Sequence, residues 1–235
     1  MSDLHPEQHR YNTGSKLNWL RASVLGANDG IVSIAGLVLG VAGATNSPAI
    51  IFTAGMAGII AGAISMAAGE YVSVSSSRDT ERALLKKEKY ELQHYPEQER
   101  EELAGIYEKK GLSKKTALAV ANELTVKDAY AAHVDAELGL DPDNLTNPWH
   151  AAFASAASFL AGAAIPLIAI IAPPAALRVP VAFLSVIAAL ALTGTVSAKV
   201  GDANIGRAVV RVVSGGALAM VVTYGIGKLF GVNGI

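Results

Sequence analysis

Long stretches without charge are the feature that most constrains this sequence. Lys, Arg, Asp and Glu make up 17% of the 235 residues, and 26 of the 39 such residues fall between positions 76 and 147. About 20 apolar residues in a helix, rising 1.5 Å each, cross the hydrocarbon core of a bilayer. A soluble helix needs a polar face, which the flanking segments lack. The sequence therefore predicts an all-α membrane protein.

The uncharged runs predict five transmembrane helices with a charged insert after the second. The predicted spans are residues 18–43, 49–75, 149–171, 175–200 and 205–230. Gly, Pro, Asn and Asp clusters between the runs are typical of turns. The predicted organisation is an N-terminal tail at 1–17, two spans within 18–75, an insert at 76–147 and three spans within 148–235.

The insert is predicted to contain three helices. No Gly or Pro interrupts the charged sequence that follows the second span, so that helix should continue out of the membrane and end near His94. A helix over 97–110 follows. A third, over 113–138, begins with Ser113 as its N-cap and ends at Gly139.

The positions of the basic residues predict the topology. The insert contains 11 Lys and Arg residues, whereas the loops at 44–48 and 172–178 contain only Arg178. Positive residues favour the cytosolic side, so the N-terminus and the insert are expected in the cytosol and the C-terminus outside. The polar N-terminal residues lack the order of a signal peptide, so the first span should be retained.

Asp29 is the most informative single residue, because it lies inside the first predicted span. A carboxylate within the bilayer costs several kcal/mol unless it faces protein, water or a cation, and such residues are usually functional. A structural Asp satisfied by a neighbouring helix is the alternative.

Met66 and Glu70 lie one turn apart on one face of the second span. A thioether together with carboxylates suits a divalent first-row metal better than Ca²⁺. The alternatives are core packing for Met66 and an interfacial charge for Glu70. Together with Asp29 these residues predict a metal pathway.

The insert carries pairs of candidate ligands at helical spacing, each able to present two groups to one point. The pairs are Glu88 with Glu91, Glu99 with Glu102, and His133 with Glu137. Three helices folding together would bring all six groups to one acidic site. Acidic pairs are also common on solvated helices, which is the alternative interpretation.

Three glycine pairs have the small-xxx-small spacing that allows close helix contact. They are Gly26/Gly30, Gly36/Gly40 and Gly58/Gly62. The spacing fits dimerisation and packing within one subunit equally well.

Several function classes are excluded by what the sequence lacks. There is no cysteine, so disulfides and thiolate metal sites are impossible. Phosphate-binding glycine loops, a hydrolase nucleophile motif and a nucleic-acid footprint are also missing. We therefore expect no enzyme activity, no resident cofactor and no nucleic-acid partner.

Three segments of the chain resemble one known family, the vacuolar iron transporters. They are GANDGIVS at 26–33, AGAISMAAGEYVSVSS at 61–76 and ELGL at 137–140. The resemblance extends from about residue 18 to 230 and includes prokaryotic members. With the short termini, it suggests a prokaryotic inner membrane.

The resemblance implies a five-span homodimer that exports Fe²⁺, often with Mn²⁺, from the cytosol in exchange for protons. Asp29 and Met66 would line the path between subunits. The acidic residues of the insert would bind the transported metal transiently; they are Glu88, Glu91, Glu99, Glu102 and Glu137.

Two positions depart from the plant-type pattern. Those members carry Glu where this chain has Gly58, and Glu70 is the candidate to supply the missing carboxylate. They carry a Met pair where this chain has His133 and Val134, and imidazole also binds Fe²⁺ or Mn²⁺.

Three other functions remain open from the residues alone. A passive metal channel would use the same side chains without moving protons. A membrane-anchored iron-binding or ferroxidase protein would use the insert. A carrier of organic solutes is disfavoured, because the spans have few aromatic and hydrogen-bonding residues.

Overall fold

The computed structural model describes residues 13–231 of the chain, with side chains from residue 22 onward. It contains seven α-helices within that range and no strand. They are α1 (Thr13–Ala44), α2 (Pro48–His94), α3 (Pro96–Lys109), α4 (Lys114–His133), α5 (Pro148–Ile171), α6 (Arg178–Val200) and α7 (Ile205–Phe230). Most of the predicted N-terminal tail, residues 1–12, lies outside the described residues.

Five of these helices are long and apolar enough to cross a membrane: α1, α2, α5, α6 and α7. The predicted all-α class and the number of spans are thus confirmed. The chain divides into two compact units, one formed by residues 1–71 and 148–235 and the other by residues 72–147.

In the first unit, α1 is the central helix and packs against α5, α6 and α7. Its Ala35 and Val38 are fully buried in an apolar core shared by all five apolar helices. The crossing of α1 and α5 is especially close. A Cβ on Gly30 would overlap the Phe159 carbonyl, and one on Gly162 would overlap the Ala27 carbonyl.

The α2 helix meets its neighbours differently, through the ends of long side chains. A Cβ added at Gly58 would meet the end of Leu37, and one at Gly62 would meet the ring of Phe159. The other glycine pairs also face helices of the same chain, Gly26 and Gly30 on α5 and Gly36 and Gly40 on Thr223 of α7. All three pairs therefore pack within one subunit and give no indication of dimerisation.

Two loops of the first unit are tied together at one end. The Arg178 guanidinium donates a hydrogen bond of 3.1 Å to the carbonyl oxygen of Asn46. The α1–α2 and α5–α6 connections therefore share one side of the helix bundle.

The second unit contains the end of α2, together with α3 and α4. The α3 and α4 helices pack around Leu103, Ala104 and Ala121. The predicted end of α2 near His94 and the predicted helix over 97–110 agree closely with the observed α2 and α3. Ser113 caps α4 as predicted, its hydroxyl accepting from the Thr116 N–H at 3.3 Å.

The predicted single helix over 113–138 is wrong in its second half. Asp128 has an extended backbone (φ −166°, ψ 95°), and its carboxylate accepts from the Ala131 N–H at 2.9 Å. Asp128 therefore starts a new helical segment in the way an N-cap does. After His133 the chain forms a π-helical turn over Val134–Leu138.

Gly139 ends the π-helical turn in a left-handed conformation (φ 60°), which suits glycine because it has no Cβ. Its N–H bonds to the Val134 carbonyl, five residues back. This explains the glycine in the ELGL segment.

Candidate functional site

Two groups of candidate residues come together in the structure, one in each unit. In the first unit, Asp29 of α1 and Met66 of α2 line one groove of about 240 Å³. Its other lining residues are Ser33, Ile34, Leu37, Gly58, Gly62, Ser65 and Phe159. The groove therefore lies between two apolar helices and contains an acid, a thioether and two hydroxyls.

Asp29 is exposed at the surface of the single chain. Its carboxylate forms no ion pair with any described residue, and the Ser33 hydroxyl donates to its backbone carbonyl at 2.6 Å. An acid without a basic partner on an apolar helix is suited to hold a cation.

Glu70 is half-buried and does not line this groove. The neighbouring Tyr71 packs on Trp149, with ring centroids 4.7 Å apart, and Trp149 stacks on Phe153. Trp and Tyr are enriched where a membrane meets water. This cluster supports a position for Glu70 near the membrane surface, at a different level from Asp29.

In the second unit, four candidate ligands converge, and we call them the insert cluster. They are Glu88 of α2, Glu99 of α3, His133 of α4 and Glu137 of the π-helical turn, and each offers one ligand atom within 4.8 Å of the others. The Nδ1 atom of His133 lies 3.1 Å from Glu88, 3.6 Å from Glu99 and 3.9 Å from Glu137.

Three polar atoms of this cluster are buried and form no hydrogen bond. Glu88 Oε1 and both ring nitrogens of His133 have no hydrogen-bond partner, although Nδ1 and Oε1 are only 3.1 Å apart. Unsatisfied buried polar atoms are rare because each costs about 1–3 kcal/mol. Lone pairs that converge in this way fit a divalent metal ion.

Burial and repulsion between carboxylates raise the pKa values of two acids of the insert cluster, Glu88 and Glu99. Burial, followed by the charges of Glu137 and Glu99, raises the pKa of Glu88 to about 7. Burial and the charge of Glu102 raise the pKa of Glu99. Burial lowers the pKa of His133 despite the opposing charges of Glu137 and Glu102. The neutral imidazole has a free lone pair for a metal.

Metal binding to the insert cluster should therefore weaken in acid. With a Glu88 pKa of about 7, one proton must leave on binding, so affinity should fall about tenfold between about pH 8 and about pH 6. Titration of the purified protein with Mn²⁺ at several pH values measures this. Glu88→Gln should flatten the profile in this window, and an unchanged slope in that variant would contradict the assignment.

Two predicted ligands lie outside the group of four, Glu91 and Glu102. Glu91 instead forms an ion pair with Lys87, at 3.0 Å, and Glu102 is exposed. Their charges still act on the cluster, since both raise the pKa of Glu99.

The sequence analysis missed several residues at these sites. Ser33 and Ser65 line the groove, and Ser33 follows Asp29 by one helical turn, a spacing that would have revealed it. Lys87 was also missed, although it precedes Glu91 by one turn.

Comparison with known proteins finds similarity along nearly the whole chain. A model of the VIT family matches residues 20–228. The chain is 42% identical over 224 residues to a vacuolar iron transporter of Acanthamoeba castellanii, covering 95% of this chain and 82% of that protein. It is 37% identical over 226 residues to vacuolar iron transporter homolog 1 of Oryza sativa subsp. japonica, covering 95% and 79%. The matched range spans the positions of both groups of candidate residues.

Proposed function

Since the chain belongs to the VIT family, we propose that this multi-pass membrane protein exports Fe²⁺, and also Mn²⁺, from the cytosol in exchange for protons. The relatives named above are iron transporters by their names, which supports metal transport. The direction of transport, the exchange for protons and the transport of Mn²⁺ are proposed in addition to metal transport itself.

The groove shared by Asp29 and Met66 is the observation that carries this proposal. A carboxylate attracts a cation out of water, while a thioether adds a soft ligand that Mg²⁺ and Ca²⁺ do not favour. The exposed polar groove on apolar helices would face lipid in a single chain. A second copy covering it would complete a path, which supports a homodimer.

The insert cluster would capture the metal before transport. Buried carboxylates near one imidazole bind hydrated divalent ions and release protons as they do so. Glu91 and Glu102 would add negative charge around the cluster and raise the local concentration of cations. Glu70 would receive the ion near the membrane surface.

The topology proposed here follows the basic residues, with the insert in the cytosol. Protons from the opposite side would compete with metal for Asp29 and Glu70. Competition between a proton and a metal ion for one carboxylate is enough to couple their fluxes. The relatives named above are eukaryotic, so they do not support the prokaryotic inner membrane expected from the sequence.

Reconstitution into liposomes tests this function directly. With an acidic lumen, Fe²⁺ uptake under anaerobic conditions should be several-fold faster than without a pH gradient, and the lumen should lose protons as metal enters. Mg²⁺ should not be transported. Metal flux that ignores the gradient and moves no protons would identify a passive channel, and no flux of any metal would overturn the proposal.

A further inference from the structure

His133 has an unusual position for a histidine on a charged insert. Its side chain is fully buried, and neither ring nitrogen has a hydrogen-bond partner among the described residues. The Nδ1 atom points at the carboxylates of Glu88, Glu99 and Glu137, at 3.1–3.9 Å. Because Nδ1 has no hydrogen-bond partner and lies among these acids, a cation bound between them would use its lone pair.

The Nδ1 atom of His133 is the one donor of the insert cluster that is not a carboxylate oxygen. Residues 72–147 contain neither Met nor Cys, so the second unit offers no sulfur ligand. The insert cluster therefore presents three carboxylates and one imidazole.

We propose that His133 sets the metal preference of the insert cluster, favouring Fe²⁺, Co²⁺ and Zn²⁺ over Mn²⁺ and Mg²⁺. This inference rests on the proposed function, because it ranks the candidate cargoes at the capture step. The imidazole nitrogen would discriminate between these metals more strongly than the carboxylates do.

Ligand chemistry gives the direction of this preference. Carboxylate oxygens suit Mg²⁺, Ca²⁺ and Mn²⁺, whereas imidazole suits Fe²⁺, Zn²⁺ and other later first-row metals. Affinity for a given nitrogen and oxygen site rises from Mn²⁺ through Fe²⁺ to Co²⁺. Exchanging the imidazole for an oxygen donor should therefore penalise Fe²⁺ and Co²⁺ more than Mn²⁺.

The local backbone supports Nδ1 as the metal-binding atom. His133 is the last residue of α4, and the π-helical turn that follows places Glu137 opposite the same nitrogen. When Nδ1 binds a metal, the proton of the neutral ring must lie on Nε2.

Competition titrations of the full-length protein in detergent test the inference. His133→Gln should lower the affinity for Co²⁺ and anaerobic Fe²⁺ about tenfold, but that for Mn²⁺ less than about threefold. The matched control is His94→Gln, since His94 is an exposed histidine of the same unit that stacks on Tyr90. That control should leave every affinity unchanged. Equal losses for all metals in His133→Gln would assign the residue a structural role and overturn the inference.

Pulsed electron paramagnetic resonance of bound Mn²⁺ provides a second test, and its decisive arm uses the wild-type protein. The wild-type protein should show coupling of Mn²⁺ to ¹⁴N, retained in His94→Gln and lost in His133→Gln. Absence of nitrogen coupling in the wild-type protein would overturn the inference. Because both tests measure binding, they can fail while transport is intact, or succeed where no transport is found.

Discussion

Replacing Asp29 with Asn should reduce metal flux through the reconstituted protein by at least about 100-fold. Placing an Asp at the centre of a membrane helix costs about 3 kcal/mol, so a cation that offsets this cost would lose a similar stabilisation when the charge is removed, which corresponds to a rate loss of this size. The substitution keeps the shape of the side chain and removes only its charge. Initial rates of Fe²⁺ uptake into liposomes measure the effect.

The neighbouring Ser33 provides a matched control for Asp29. Ser33→Ala alters the same groove, because the Ser33 hydroxyl donates to the Asp29 carbonyl and lines the cavity. Its flux should stay within about threefold of wild type, since only one exposed neutral hydrogen bond is lost. Wild-type flux in Asp29→Asn would remove the groove from the transport path.

Replacing Gly162 with Ala should destabilise the membrane unit by about 3 kcal/mol. The added Cβ would overlap the Ala27 carbonyl, so α1 and α5 would have to separate along their crossing. Since α1 is the central helix, its contacts with α6 and α7 would change as well. We expect an apparent melting temperature about 10 °C lower and a reduced yield of folded protein.

The same substitution at Gly225 is the control, because a Cβ at that position of α7 meets nothing within 4 Å. Gly225→Ala should melt at or slightly above the wild-type temperature, since Ala has the higher helix propensity. Equal stability of the two variants would show that the α1–α5 crossing can relax.

The membrane helices were predictable because one physical requirement controls them. A lipid-facing helix has to be apolar over its whole length, so an apolar run such as 175–200 is recognisable in the sequence. Helix ends were predictable where a residue has a specific backbone role. Ser113 caps a helix with its hydroxyl, and Gly139 adopts a conformation that disfavours other residues.

The break at Asp128 and the π-helical turn were not predictable in the same way. Both occur in a sequence without Gly or Pro between Ser113 and Leu138. Asp128 alone hints at an internal cap, but an Asp on a solvated helix has the same appearance in sequence. The π-helical turn depends on how the last residues pack, which helical spacing does not encode.

The sequence indicated candidate site residues, but not which of them lie close together in the structure. Helical spacing paired His133 with Glu137, and the structure places both side chains in the insert cluster. Helical spacing did not distinguish Glu88 from Glu91, although only Glu91 forms an ion pair with a basic side chain. Glu91 forms an ion pair with Lys87, whereas Glu88 is buried beside His133. Such choices depend on contacts between helices.

The π-helical turn makes the geometry of the insert cluster depend on the number of residues between His133 and Glu137. Each residue of an ordinary α-helix advances by about 100° around the axis. Deleting Ala136 from the turn would change the direction in which the Glu137 side chain leaves the backbone relative to His133. Insertion or loss of a single residue can thus change the distance between Glu137 and the other three side chains of the insert cluster while all four keep their identity.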